Sequence, residues 1–98
     1  MDKKIYVRID QEIKDIVPDY LANRQKDVLN IRKLLNECDF ENIRTIGHKM
    51  RGSGKLYGFE QITNLGEVIE KGAGEKNSTE IQAGLSELEN YLKRVEIT

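Results

Sequence analysis

The chain has a single histidine, His48, and the sequence offers its chemistry there. Placed on a helix at about 100° per residue, the segment from Ile43 to Tyr57 sorts into two faces. Ile43, Ile46, Met50 and Tyr57 fall within roughly 60° of one another and form an apolar flank. Arg44, His48, Arg51 and Lys55 stack along the opposite ridge, each three or four residues from the next. The imidazole therefore faces water among cations. Neutral imidazole keeps a nitrogen lone pair near physiological pH, which makes it a nucleophile suited to a dianionic electrophile. Attack on an activated phosphoryl group gives a phosphoramidate, and Arg51 and Lys55 are placed to offset charge on the incoming oxygens.

Three glycines stand in the stretch from His48 to Gly58. Gly52 and Gly54 each cost about 1 kcal/mol in a helix relative to alanine. Gly52 follows His48 by one turn and leaves the ring unobstructed, so that a second protein can approach closely. Gly54 lies nearer the buried flank, where a neighbouring helix can pack tightly. Gly58, after the last periodic residue, is expected to be a left-handed cap.

Other chemistries fit poorly. A phosphate-binding loop ending in Gly54-Lys55 needs a glycine where Lys49 stands and a hydroxyl residue where Leu56 stands. Ser53 is too close to His48 in sequence to share its face and complete a hydrolytic triad. One imidazole among cations is a poor metal site. The ridge carries no carboxylate for Mg²⁺ and the chain has no nucleotide motif. A partner is therefore expected to bring the metal and the activated phosphoryl group.

Stepping out from His48, 98 residues with 38% apolar and 34% charged side chains make one domain, residues 1–98, with amphipathic elements. One proline and no tryptophan, with recurrent Glu, Lys, Leu and Ile, lean towards an all-α fold. A formal net charge of −1 gives no support to general nucleic-acid or membrane binding. Cys38 stands alone, so no intramolecular disulfide or cysteine-based zinc site is possible, and it reads as a small apolar filler near a helix end. The absence of a signal peptide or a long apolar run points to the cytoplasm.

Residues 1–8 are expected to form an extended arm on the bundle. Asp10 caps a short additional N-terminal helix burying Ile13, Ile16 and Val17, and Pro18 interrupts it or opens the next. The first long helix reaches Cys38 with the stripe Leu21, Val28, Ile31, Leu34 and Leu35. Asp39 caps the second, which carries the His48 ridge to about Tyr57. Phe59, Ile62, Leu65 and Ile69 form the inner face of the third. A turn over 72–77 and a capping box from Thr79 to Gln82 precede the last helix, with Ile81, Leu85, Leu88, Leu92 and Val95 along its seam. This pattern predicts an antiparallel up-and-down four-helix bundle with the short extra helix at one end.

The set His48, Arg51, Gly52, Ser53, Gly54 and Gly58 resembles the motif of the histidine-containing phosphotransfer (HPt) domains of multistep two-component phosphorelays. The run Leu65-Gly66-Glu67-Val68-Ile69-Glu70 is similar to that family's next helix. The resemblance implies that His48 is the phospho-acceptor, that Arg51 fills a position usually held by lysine, and that Gly52 gives clearance for a docking receiver. Lys55 occupies a variable position of the family. Arg44 and Lys49 are expected to join Gly52 in the docking patch. The implied partners are response-regulator receiver domains, which supply an aspartyl phosphate, a lysine and Mg²⁺, and beyond them a hybrid histidine kinase; no cofactor is expected on this chain. With Met1 at its head and one domain, the chain is expected to be a free-standing carrier without kinase activity of its own. The rival reading is a non-phosphorylated helical adaptor whose basic ridge docks an acidic partner by electrostatics alone.

Overall fold

The computed structural model describes residues 3–98; Met1 and Asp2, and with them the start of the expected arm, lie outside the described residues. Four α-helices form the body: α1 (Val17–Asn36), α2 (Phe40–Gly54), α3 (Glu60–Gly74) and α4 (Ser78–Arg94). They enclose one core. Val28 and Ile31 come from α1, Ile43 and Met50 from α2, Ile62, Leu65 and Ile69 from α3, and Ile81, Leu85, Leu88 and Leu92 from α4, joined by Phe59. These are largely the apolar stripes expected from helical spacing, because only one flank of each helix can leave water. Among the described residues no helix is long and apolar enough to cross a membrane.

The chain is not purely helical. Ile5–Val7 forms a strand, β1, and Val95–Ile97 forms β2, paired in parallel with Ile5 opposite Val95 and Val7 opposite Ile97. Ile5, Val7, Val95 and Ile97 pack on the core, while Tyr6 and Glu96 point outward. Val95 thus leaves the helical seam because its backbone is extended, at φ −72° and ψ 133°. In place of the extra N-terminal helix there is a single 3₁₀ turn, Gln11–Ile13, capped by Asp10: Glu12 N donates to Oδ1 at 3.0 Å. Pro18 opens α1. At the far end of α1, Cys38 is exposed with φ +55°, so it turns the chain rather than filling the core. Asp39 caps α2 by accepting from Asn42 N, as expected. The cap of α4 is Asn77, which accepts from Glu80 N, two residues ahead of the expected Thr79.

Glycines set the spacing between α2 and α3. A Cβ on Gly47 would lie 2.7 Å from the Glu70 backbone nitrogen, and one on Gly66 would lie 2.5 Å from that of Arg51. Backbone meets backbone there. Further along, Gly54 faces Phe59 and Thr63, so rising numbers on α2 meet falling numbers on α3. Gly72 against Ile81 and Gly84 against Ile69 repeat the relation for α3 and α4.

The same contact ends α2 earlier than its periodicity suggests. The Thr63 hydroxyl donates to the Arg51 carbonyl at 3.0 Å and accepts from Lys55 N at 2.7 Å. It occupies the place of the helical bond between those two groups, and the chain tightens into a 3₁₀ turn over Lys55–Tyr57. Gly54 makes this possible, since its Cβ would sit 2.5 Å from that hydroxyl. Gly58 then takes the left-handed conformation expected of it, at φ +92°.

Gly66→Ala tests the close approach against Gly74→Ala, whose added methyl meets open space. Both gain about 1 kcal/mol of helix propensity. At Gly66 this is outweighed by overpacking of about 1–3 kcal/mol. Urea denaturation is therefore expected to show a lower midpoint for Gly66→Ala and an unchanged or higher one for Gly74→Ala.

Candidate functional site

His48 stands on α2 with 63% of its side chain exposed. Because Gly47 and Gly66 let the two helices touch, Glu70 of α3 comes within bonding distance of the ring. Its Oε2 lies 2.9 Å from His48 Nδ1, and its Oε1 lies 3.2 Å from Arg51 Nη1. Glu70 is only 17% exposed, so its carboxylate is held rather than roaming. Arg51 Nη2 also approaches His48 Nδ1, at 3.4 Å. Nδ1 cannot donate to Glu70 and accept from Arg51 at once. The shorter contact, to a carboxylate that can only accept, puts the proton on Nδ1. Nε2 is then the atom with the lone pair, and among the described residues it has no hydrogen-bond partner.

The expected site residues separate in the structure. Arg44 lines two shallow recesses beside the ring: one of about 370 Å³ with Glu41, Thr45, His48 and Glu70, the other of about 400 Å³ with Arg51, Glu67, Glu70, Lys71 and Gly74. Gly52 is exposed, and a Cβ there would meet nothing within 4 Å, so the surface beside the ring is open. Lys55 lines neither recess; the turn forced by Thr63 begins at that residue, and Lys71 of α3 supplies the further cation instead. Lys49 faces α1. Burial pushes the Asp27 carboxyl up from its ordinary value, and the charges of Arg24 and Lys49 act on it in the opposite direction.

Ser53 is turned away from His48, as its position on the helix implied, and its Oγ lies 2.8 Å from the Tyr20 hydroxyl. Tyr20 in turn stacks on Tyr57, with ring centroids 4.2 Å apart, and carries the Arg24 guanidinium over its other side at 4.5 Å. This network braces the flank of α2 next to the ridge.

The expectation of a ring surrounded by cations alone is corrected. The nearest charge is the Glu70 carboxylate, and Glu41 and Glu67 also line the recesses. Ridge spacing on α2 says nothing about what α3 brings across the gap, which is why Glu70 and Lys71 were missed. A signal was present: Gly47 next to His48, and Gly66 one turn before Glu70, mark the faces through which two helices can touch. Among the described residues no group of three His, Cys, Asp or Glu side chains is placed to hold a metal ion.

Compared with known families, the chain matches the family model described as Hpt domain over residues 15–97. No curated protein and no solved structure gives a significant match.

The tautomer is open to direct measurement. Long-range ¹H–¹⁵N spectra of the neutral ring are expected to show the proton on Nδ1 in the wild type. In Glu70→Ala the Nε2–H form, which unconstrained imidazole prefers, should predominate, with the fold unchanged by circular dichroism.

Proposed function

The chain belongs to the Hpt domain family, whose members carry phosphoryl groups on histidine in phosphorelays, and on that premise we propose that His48 is the phosphoryl carrier. One observation carries this reading: an exposed imidazole whose Nδ1 is held by Glu70, leaving Nε2 as the free nucleophile. The exchange partners are receiver-domain aspartates. Nε2 attacks the phosphorus of the aspartyl phosphate, the N–P bond forms, the P–O bond to the aspartate breaks, and the carboxylate leaves on the receiver. The reverse displacement passes the group onward.

Glu70 acts on the other side of the ring. As Nε2 gives up its lone pair the imidazole becomes positive, and the carboxylate at Nδ1 balances that charge and fixes the ring's direction. Arg51, within reach of both partners, supplies the cation for the phosphoryl oxygens. Lys55 has a smaller part than its sequence position implied, and exposed Lys49 stays with the docking residues. Arg44 and the bare backbone at Gly52 belong to the receiver's footprint. The Mg²⁺ of the reaction is assigned to the receiver, and the reaction to the cytoplasm. A hybrid histidine kinase is the upstream source of the phosphoryl group. The helix pairings support an antiparallel up-and-down bundle as the frame for this surface.

Incubation with an aspartate-phosphorylated receiver is expected to add one acid-labile phosphoryl group to the wild type and none to His48→Gln. Equal labelling of His48→Gln, or no labelling of the wild type by any receiver of the source organism, would favour the adaptor reading. Gly52→Gln is expected to slow transfer at least tenfold, roughly the cost of one lost 1.4 kcal/mol contact, with an unchanged thermal melt. Normal exchange by that variant would refute the clearance role.

A further inference from the structure

His48 and its partners sit on α2 and α3. The other two helices carry a surface that phosphoryl transfer does not use. Leu29 of α1 is 68% exposed, and beside it a groove of about 310 Å³ runs between α1 and α4, lined by Gln25, Val28, Leu29, Glu89, Leu92 and Lys93. Val28 and Leu92 are buried and make an apolar floor. A single exposed leucine is ordinary. One that forms the lip of an apolar groove is a place for a partner's side chain.

The charges around the groove are mostly positive. On α1, Lys26 and Lys33 stand three residues before and four after Leu29, so they flank it on the outer side. Lys93 stands across the groove on α4. Among the described residues none of these lysines is in an ion pair, whereas Glu89, the only acid lining the groove, is taken up by Arg32 at 3.1 Å. With Glu89 paired to Arg32, the unpaired charges beside this apolar slot are lysines, Lys93 in its lining and Lys26 and Lys33 on the outer side of Leu29, in a chain of net charge −1.

We propose that the α1–α4 groove is a second docking surface, and that its occupant is an acidic amphipathic helix of a partner protein. Such a helix seats apolar side chains against Leu29, Val28 and Leu92 and sets its carboxylates against Lys26, Lys33 and Lys93. A second copy of this chain is disfavoured, because it would bring the same lysines face to face. The surface lies on different helices from His48, so this docking and phosphoryl transfer can occur together.

The test titrates the ¹⁵N-labelled full chain with a synthetic peptide carrying leucines on one helical face and glutamates on the other. Amide shifts are expected at Val28, Leu29, Leu92 and Lys93. Affinity should fall as salt is added and drop at least ~10-fold in Leu29→Glu, the size of one rim-plus-anchor loss. A peptide with lysines in place of the glutamates should not bind. The proposal is overturned if the acidic peptide leaves these amides unmoved or binds Leu29→Glu equally well. It is likewise overturned if the groove is filled instead by anionic phosphatidylglycerol vesicles or by self-association in sedimentation. Leu29→Glu is expected to accept phosphoryl groups on His48 at the wild-type rate, so failure here is distinguishable from failure of the carrier reading.

Discussion

Backbone touches backbone where Gly47 and Gly66 face each other, and the arrangement around His48 follows from that contact. No residue with a Cβ fits at either position without moving the opposite helix. The separation it sets decides how far Glu70 must reach, and the 2.9 Å bond to Nδ1 shows that it reaches. A helix pair held apart by ordinary side chains, at the usual 8–10 Å spacing, would leave this carboxylate in water and the ring free to turn.

The bond changes the chemistry open to the histidine. A surface imidazole in water samples both tautomers and several rotamers. Here a carboxylate with little exposure holds one nitrogen, and the other projects outward. Arg51 shares the carboxylate, so acid, base and cation form one unit with a single geometry. The cation is thereby held close to the ring, and under the proposed carrier role this lowers the ordering cost of meeting a phosphoryl group. Thr63 contributes from the same interface. By standing between the Arg51 carbonyl and the Lys55 amide, it ends α2 at Gly54 and brings the chain round to Gly58.

The adjoining flank of α2 is fixed by different means. Tyr20, stacked on Tyr57 and bonded to Ser53, ties α1 to the segment just beyond the ridge, and the Arg24–Asp27 pair at 2.8 Å lies beside it. Burial raises the Asp27 carboxyl above its ordinary value, and the paired Arg24 guanidinium acts against that rise.

Sequence alone determined the helices, their apolar stripes, the Asp39 cap, the Gly58 turn and the exposure of His48, because each depends on spacing within one segment. It also placed Arg51 and Gly52 beside the histidine, one turn along its own helix. The strands Ile5–Val7 and Val95–Ile97 were not legible as a pair, since three-residue segments at opposite ends of the chain gain their hydrogen bonds only from each other. The partner of the ring was not legible either. Glu70 is 22 residues from His48, and only the close packing of α2 on α3 brings them together. Local periodicity determines which face a residue takes; what stands opposite that face is decided by the distance between helices, and here two glycines set it.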